Sequence, residues 1–229
     1  MTCEILIRTY RGDAEWLAYC LLSIRKYVSG FHKVHIVVPT DDYRFLKGIT
    51  AEEVHLVGSD EGKDGYLSQQ VSKMYADEFC GAEYVLHVDS DCVFTKPCTP
   101  ESFFHGGKPA ILREEGVDSP WPKISVNTLG WYDGAEYMRR LPIIYPRWAY
   151  GEFRKYVKDR QGVELRDWIM HQSHRAFSEF NTMGQFLYKT HQEDFAWCHP
   201  SAMDTVAKQW WSWGGLSDEI RKEIEEILA

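Results

Sequence analysis

Two carboxylates stand one residue apart at the end of an apolar run, in Tyr84-Val85-Leu86-His87-Val88-Asp89-Ser90-Asp91-Cys92-Val93-Phe94. The β-branched, apolar residues before Asp89 predict a buried strand. Along an extended chain, residues two apart share a side, so Asp89 and Asp91 aim at one point in space. Hard oxygen ligands suit Mg²⁺ or Mn²⁺, ions that commonly keep open positions for the phosphate oxygens of a substrate. A plain Asp-Ser-Asp turn after a strand accounts for the same residues. What strengthens the ion site is position, because open α/β sheets bind ligands at the carboxyl ends of their strands.

Other residues have chemistry available at their spacing. The stripe Leu67, Val71, Met74 and Tyr75 predicts a helix over Ser68 to Phe79, which places Gln69 and Lys73 one turn apart on another face. Turned towards the ion, the Lys73 ammonium would help neutralise a diphosphate; turned to solvent, it would pair with Asp77. Glu179 falls at the amino end of a helix whose buried stripe is Phe180, Met183 and Leu187. That location favours an ionised carboxylate, suited to a base at neutral pH and equally to a helix cap. Asp167, His171 and His174 also recur at helical spacing, an arrangement common on a polar surface. Between Tyr137 and Arg160, seven basic residues stand against two acids, with six aromatics interleaved. Such a stretch either binds a polyanion such as DNA or RNA or supplies a helix with a core face and solvated charges.

Val85 to Phe94 resembles the Asp-x-Asp signature of nucleotide-sugar-dependent glycosyltransferases with the GT-A fold. The resemblance continues upstream through Gly65-Tyr66-Leu67-Ser68-Gln69-Gln70-Val71-Ser72-Lys73-Met74. Downstream it includes Met138-Arg139-Arg140-Leu141-Pro142 and Phe177-Ser178-Glu179-Phe180-Asn181-Thr182-Met183-Gly184, so it spans most of the chain and resembles a small soluble branch of that superfamily. It implies one α/β GT-A domain over residues 1–229, a Rossmann-like, doubly wound mixed sheet flanked by helices. Residues 1–112 would bind donor and metal, and residues 113–229 would bind acceptor and supply a carboxyl-terminal lid and helix.

By the same resemblance the activity is transfer of a sugar from a nucleotide-sugar, a UDP-sugar first, to a hydroxyl acceptor. Mn²⁺ or Mg²⁺ would be held by Asp91 with Asp89, and His199 would complete the cation site unless it packs or caps. Thr9, Tyr10 and Arg11 would touch the donor, or form an ordinary strand-to-helix loop; Ser90, Gln69 and Lys73 would join them. Lys208 would reach the diphosphate, and Trp211, within Trp210-Trp211-Ser212-Trp213-Gly214-Gly215, would help exclude water. In an inverting enzyme Glu179 would deprotonate the acceptor. The acceptor is either a saccharide or small metabolite, or a hydroxymethylated base in DNA as phage DNA-glucosylating enzymes use, with residues 137–160 as the nucleic-acid face. Two readings from other classes stand beside this one: a nucleotidyltransferase, for which Thr9-Tyr10-Arg11-Gly12-Asp13 offers only one glycine, and a sugar-nucleotide binding module without turnover.

The elements that must position these groups follow from the pattern. Cys3 to Thr9, Val34 to Val38 and Val54 to Val57 read as buried strands, the last ending at Gly58-Ser59-Asp60. Leu17, Leu21, Ile24 and Val28 mark a helix between the first two, giving the strand, helix, strand order of a doubly wound sheet. A loop is expected over Arg113 to Ser125, a last strand over Phe195 to Cys198, and a closing helix from Ser217. With 229 residues, 44% of them hydrophobic, the chain can bury one substantial core, and a net charge of −8 argues against a protein basic all over. Six scattered cysteines without zinc-ligand spacing point to reduced thiols. The first apolar run is too short for a signal peptide or a membrane span, so the expected location is the cytoplasm of a bacterium, or of a host if the source is viral.

Overall fold

In the computed structural model, which describes residues 1–59 and 62–229, the apolar runs assemble into a five-stranded sheet. Asp60, expected in the turn after the third strand, lies outside the described residues. Strand β1 (Cys3–Arg8) leads through helix α1 (Ala14–Tyr27) to β2 (Val34–Pro39), and β3 (Glu53–Val57) then pairs in parallel beyond β2. After helix α2 (Gly65–Met74), β4 (Tyr84–Asp89) returns to the other side of β1, also in parallel. The strand order therefore reverses between β1 and β4. Their carboxyl ends, Arg8 opposite Asp89, form the switch point at which such sheets open a crevice. Every residue of β1 is buried, as expected of a strand covered on both faces.

Beyond the Ser90-Asp91 turn comes β5 (Cys92–Phe94), then an antiparallel pair of β6 (Phe104–His105) and β7 (Lys108–Leu112). Strand β8 (Glu114–Glu115) pairs with β9 (Ala135–Glu136) across a loop that contains α3 (Ser125–Leu129), and β10 (Ile143–Pro146) completes the main sheet as the antiparallel neighbour of β4. Helices α4 (Trp148–Gln161), α5 (Leu165–Met170) and α6 (Glu179–Thr190) follow. Two late strands come back to the middle of the chain: β11 (Ala196–Cys198) joins β7, and β12 (Ala207–Gln209) joins β5. Helix α7 (Asp218–Leu228) ends the chain, capped by the Ser217 side chain, which accepts from the Ile220 amide. No helix among the described residues is long and apolar enough to cross a membrane.

Two expectations are corrected. The helix expected over Ser68 to Phe79 is shifted: Asp64 caps it by accepting from the Tyr66 and Leu67 amides, so it starts at Gly65. It stops at Met74, where Tyr75 leaves helical geometry, and a short 3₁₀ turn over Ala76–Glu78 takes its place. The expected loop over Arg113 to Ser125 contains β8 and a 3₁₀ turn at Pro122–Ile124. Of the two readings of the stretch 137–160, the helix with a core face accounts for most of its rings: Tyr137, Tyr145, Tyr150 and Phe153 are buried, while Trp148 is exposed. Four of its seven cations pair with nearby carboxylates: Arg154 makes two 2.6 Å bonds to Asp77, Lys155 pairs with Asp159, Lys158 with Glu164, and Arg139 with Glu114, while Arg140 donates to Thr205 and to the Pro200 and Met203 carbonyls. All six cysteines are free.

Candidate active site

A cleft of about 1990 Å³ opens over the switch point, walled by the ends of β1 and β4, by α2, and by the segment from Thr205 to Trp213. That exceeds the roughly 300–1,000 Å³ of an ordinary small-ligand pocket and leaves room for two substrates side by side. On its floor, Lys73 is buried between two carboxylates, with Nζ 2.8 Å from Asp89 Oδ1 and 3.0 Å from Glu179 Oε1. Burial opposes the ammonium, but the two acids outweigh it and hold the Lys73 pKa above that of an ordinary lysine. Asp77, the surface partner conceivable for Lys73, is taken by Arg154. Glu179 is the first residue of α6, and its amide donates to Gln70 Oε1 at 3.1 Å.

Asp91 is buried, and its carboxylate accepts from the Ser212 amide at 3.0 Å and from Gln209 Nε2 at 3.2 Å. The same Gln209 amide lies 3.5 Å from Asp89 Oδ2, so the two acids do reach towards one point, which a neutral donor holds. Burial, together with the charge of Asp89, pushes the Asp91 carboxyl up to about 7 against the pull of those two donors. A third acid completes the group. Asp13 stands where a cap of α1 would be, yet caps nothing; it accepts from Ser90 Oγ at 2.9 Å instead, and burial raises its pKa despite Ser90 and the nearby Arg8. Arg8, buried at the end of β1, donates to the Thr9 carbonyl and to Ser72 Oγ.

Asp13, Asp89, Asp91 and Glu179 thus face two cations, Lys73 and Arg8. The surplus of negative charge is what a divalent cation would cancel, and the donor set is hard oxygen, so the residues fit Mg²⁺ or Mn²⁺. The oxygens have not converged as ligands do around an ion. Asp89 turns one oxygen to Lys73, and among the described residues only Glu4, His35 and Cys80 bring three ligand atoms within 4.8 Å of one another.

The remaining sequence-predicted positions divide. Thr9, Tyr10, Arg11, Gln69, Ser90, Lys208 and Trp211 all line the cleft. Thr9 is buried with its Oγ1 unsatisfied, Tyr10 and Trp211 are exposed, and Arg11 leans on Asp42 at 3.7 Å. Lys208 pairs with Glu223 of α7 and lies 4.7 Å from the Trp210 ring centroid. His199 does not belong to the cleft wall: it is mostly exposed, its Nδ1 contacts Ser201, and its Nε2 is 4.0 Å from Glu114. Asp167, His171 and His174 do not form a group either, since His171 bonds the Asp167 carbonyl and His174 pairs with Asp64. Asp13, Arg8, Gln209 and Ser212 were not singled out from sequence. Of these, only Arg8 carried a signal, a charge at the carboxyl end of a buried strand.

A family model described as a family of unknown function, DUF6492, matches residues 3–210. No curated protein matches the sequence. Among solved structures, the galactosyltransferase LgtC, in complex with donor and acceptor sugar analogs, superposes with a TM-score of 0.56 at 11% identity. The match covers 98% of this chain and 95% of that one, so the mixed α/β architecture is that of a GT-A glycosyltransferase from end to end.

Proposed function

The chain belongs to the DUF6492 family, and from that footing we propose that it is a metal-dependent glycosyltransferase moving a sugar from a nucleotide-sugar to a hydroxyl acceptor. The observation that carries the reading is the group of acids at the switch point, Asp13, Asp89 and Asp91, joined through the buried Lys73 to Glu179 on the floor of a cleft with room for two substrates. Support comes from the fold shared with LgtC, whose structure holds donor and acceptor sugar analogs. The whole chain would act as one unit, with donor and metal held by residues 1–112 and the acceptor by residues 113–229.

Asp91, Asp89 and Asp13 would hold Mn²⁺ or Mg²⁺, which when bound offsets the charge growing on a diphosphate leaving group. Lys73 adds a fixed positive charge on the same floor without leaving its buried seat, and so organises Asp89 and Glu179 before any substrate arrives. Thr9 Oγ1, buried without a partner, is available to a donor hydroxyl or carbonyl. Tyr10 and Trp211 offer exposed rings at the cleft, suited to stacking on a base and to shedding water. Glu179 would orient the acceptor hydroxyl and take its proton, with its hold on Lys73 loosening as charge redistributes.

The test is a thermal-shift panel of nucleotide-sugars with and without Mn²⁺, followed by assay of nucleoside diphosphate release. One nucleotide-sugar, UDP-linked first, should raise Tm by several degrees only with the metal, and Asp91→Asn should abolish the shift. A response to nucleoside triphosphates with pyrophosphate release would replace this reading with nucleotidyl transfer. A metal-dependent shift without diphosphate release under any acceptor would leave a binding module.

A further inference from the structure

We propose that Glu4, His35 and Cys80 form a second metal site, separate from the cleft, for a thiophilic divalent cation of the zinc class, with three protein ligands and a fourth position left to solvent. They lie at the amino end of the sheet: Glu4 near the start of β1, His35 near the start of β2, and Cys80 in the turn before β4. The Asp89 and Asp91 site is at the opposite, carboxyl end. The carboxylate oxygen, imidazole nitrogen and sulfur all lie within 4.8 Å of one another, and all three residues are buried.

The surroundings are those of ligands held for a metal. Glu4 Oε2 is fixed by the Gly81 and Ala82 amides at 2.7 and 3.1 Å, on the same turn that presents Cys80. His35 Nδ1 meets His55 Nε2 at 2.9 Å, so an Nδ1 proton given to His55 leaves the Nε2 lone pair directed into the group. That nitrogen, on a side chain only 5% exposed, lies 3.2 Å from Glu4 Oε2, near enough to pair with the carboxylate but outside good hydrogen-bond geometry. A buried nitrogen so poorly aligned with its carboxylate, and beside a thiol, is placed better as a ligand than as a donor.

Charge and softness select the ion. A carboxylate and a thiolate cancel two positive charges while imidazole stays neutral, so the occupied site carries no net charge into the interior. Binding sends the thiol proton to solvent as the metal–sulfur bond forms. Thiolate and imidazole prefer zinc-class ions, whereas the oxygen-only acids at the other end prefer Mg²⁺ or Mn²⁺. One chain would thus sort two classes of metal to its two ends, whatever reaction the cleft performs.

The experiment is metal analysis of the untagged full chain from zinc- and cobalt-supplemented cells. About one equivalent of zinc should persist through desalting over a chelating resin, also in the Asp89→Asn/Asp91→Asn double variant, and fall at least tenfold in Cys80→Ser and in His35→Gln. The cobalt form should show a thiolate-to-cobalt charge-transfer band. Wild-type protein with under about a tenth of an equivalent, metal lost only in the double Asp variant, or a cobalt spectrum without the thiolate band would each overturn the proposal. Because the cobalt spectrum is read on wild-type chain, failure of the Cys80 or His35 variants to fold does not shield it.

Discussion

Asp91 is buried beside Asp89, and the donors Gln209 and Ser212 only partly offset the cost of ionising it. Its folded-state pKa of about 7 stands above the roughly 3.9 of an unfolded aspartate, so the folded chain binds this proton more tightly. The stability it contributes without metal is complete below about pH 4 and is lost as the pH rises through about 7. In urea titrations, Asp91→Asn should therefore gain on the wild type, by a few kcal/mol in total, between those limits. Mn²⁺ at pH 8 should stabilise the wild type and not the variant; an equal response in both would show that the ion is held elsewhere. Asp89 and Asp91 are legible in sequence because both stand where an apolar strand ends, although it is the turn after Asp89, not the period of a strand, that places Asp91. Asp13 is not, because in sequence it occupies the place of a helix cap, and only the turn that brings Ser90 to it shows that its carboxylate points elsewhere. Gln209 and Ser212 reach Asp91 across 118 and 121 residues, a separation no local pattern encodes.

At the scale of elements, α6, which carries Glu179, lies close against Tyr137, the residue that follows β9. Gly184 makes that approach possible: a Cβ there would come within 2.5 Å of the Tyr137 side chain. Gly184→Ala should lower stability by about 1–3 kcal/mol, since overpacking outweighs the roughly 1 kcal/mol that alanine gains over glycine in a helix. An unchanged or higher urea midpoint would mean that Tyr137 yields instead. The strands and long helices were readable from periodicity, and Ser217 from its capping chemistry. The start of α2 was misplaced because the apolar stripe begins at Leu67, while the cap that decides the boundary, Asp64, sits among polar residues resembling a loop. The basic and aromatic run was ambiguous for a related reason, since composition does not say which rings turn inward.

Across the whole molecule, the face of the sheet beneath α4 and α6 includes a titratable group sealed in the core. His87 contacts the Tyr150 hydroxyl at 2.6 Å, and burial, with Lys73 nearby, drives its pKa down to about 3. An unfolded histidine takes its proton near 6.5, so the stability due to neutral His87 is whole above that pH and drains away as the pH falls towards 3. The loss is on the order of 5 kcal/mol, and His87→Gln should flatten this acid limb even if its midpoint drops. A limb equally steep in both proteins would place the acid sensitivity elsewhere. The Asp91 and His87 slopes oppose each other between about pH 4 and 6.5, so each is read against its own variant. Beyond the carboxyl end of the same strand, the Trp210 amide donates to the Asp91 carbonyl and the Ser212 amide to its carboxylate, while Lys208 ties the approaching strand to α7. The two outermost indoles, Trp211 and Trp213, 65% and 82% exposed, therefore stand on a segment moored to an acid. Protonation of Asp91, or a cation bound to it, would alter that mooring and with it the hold on both rings.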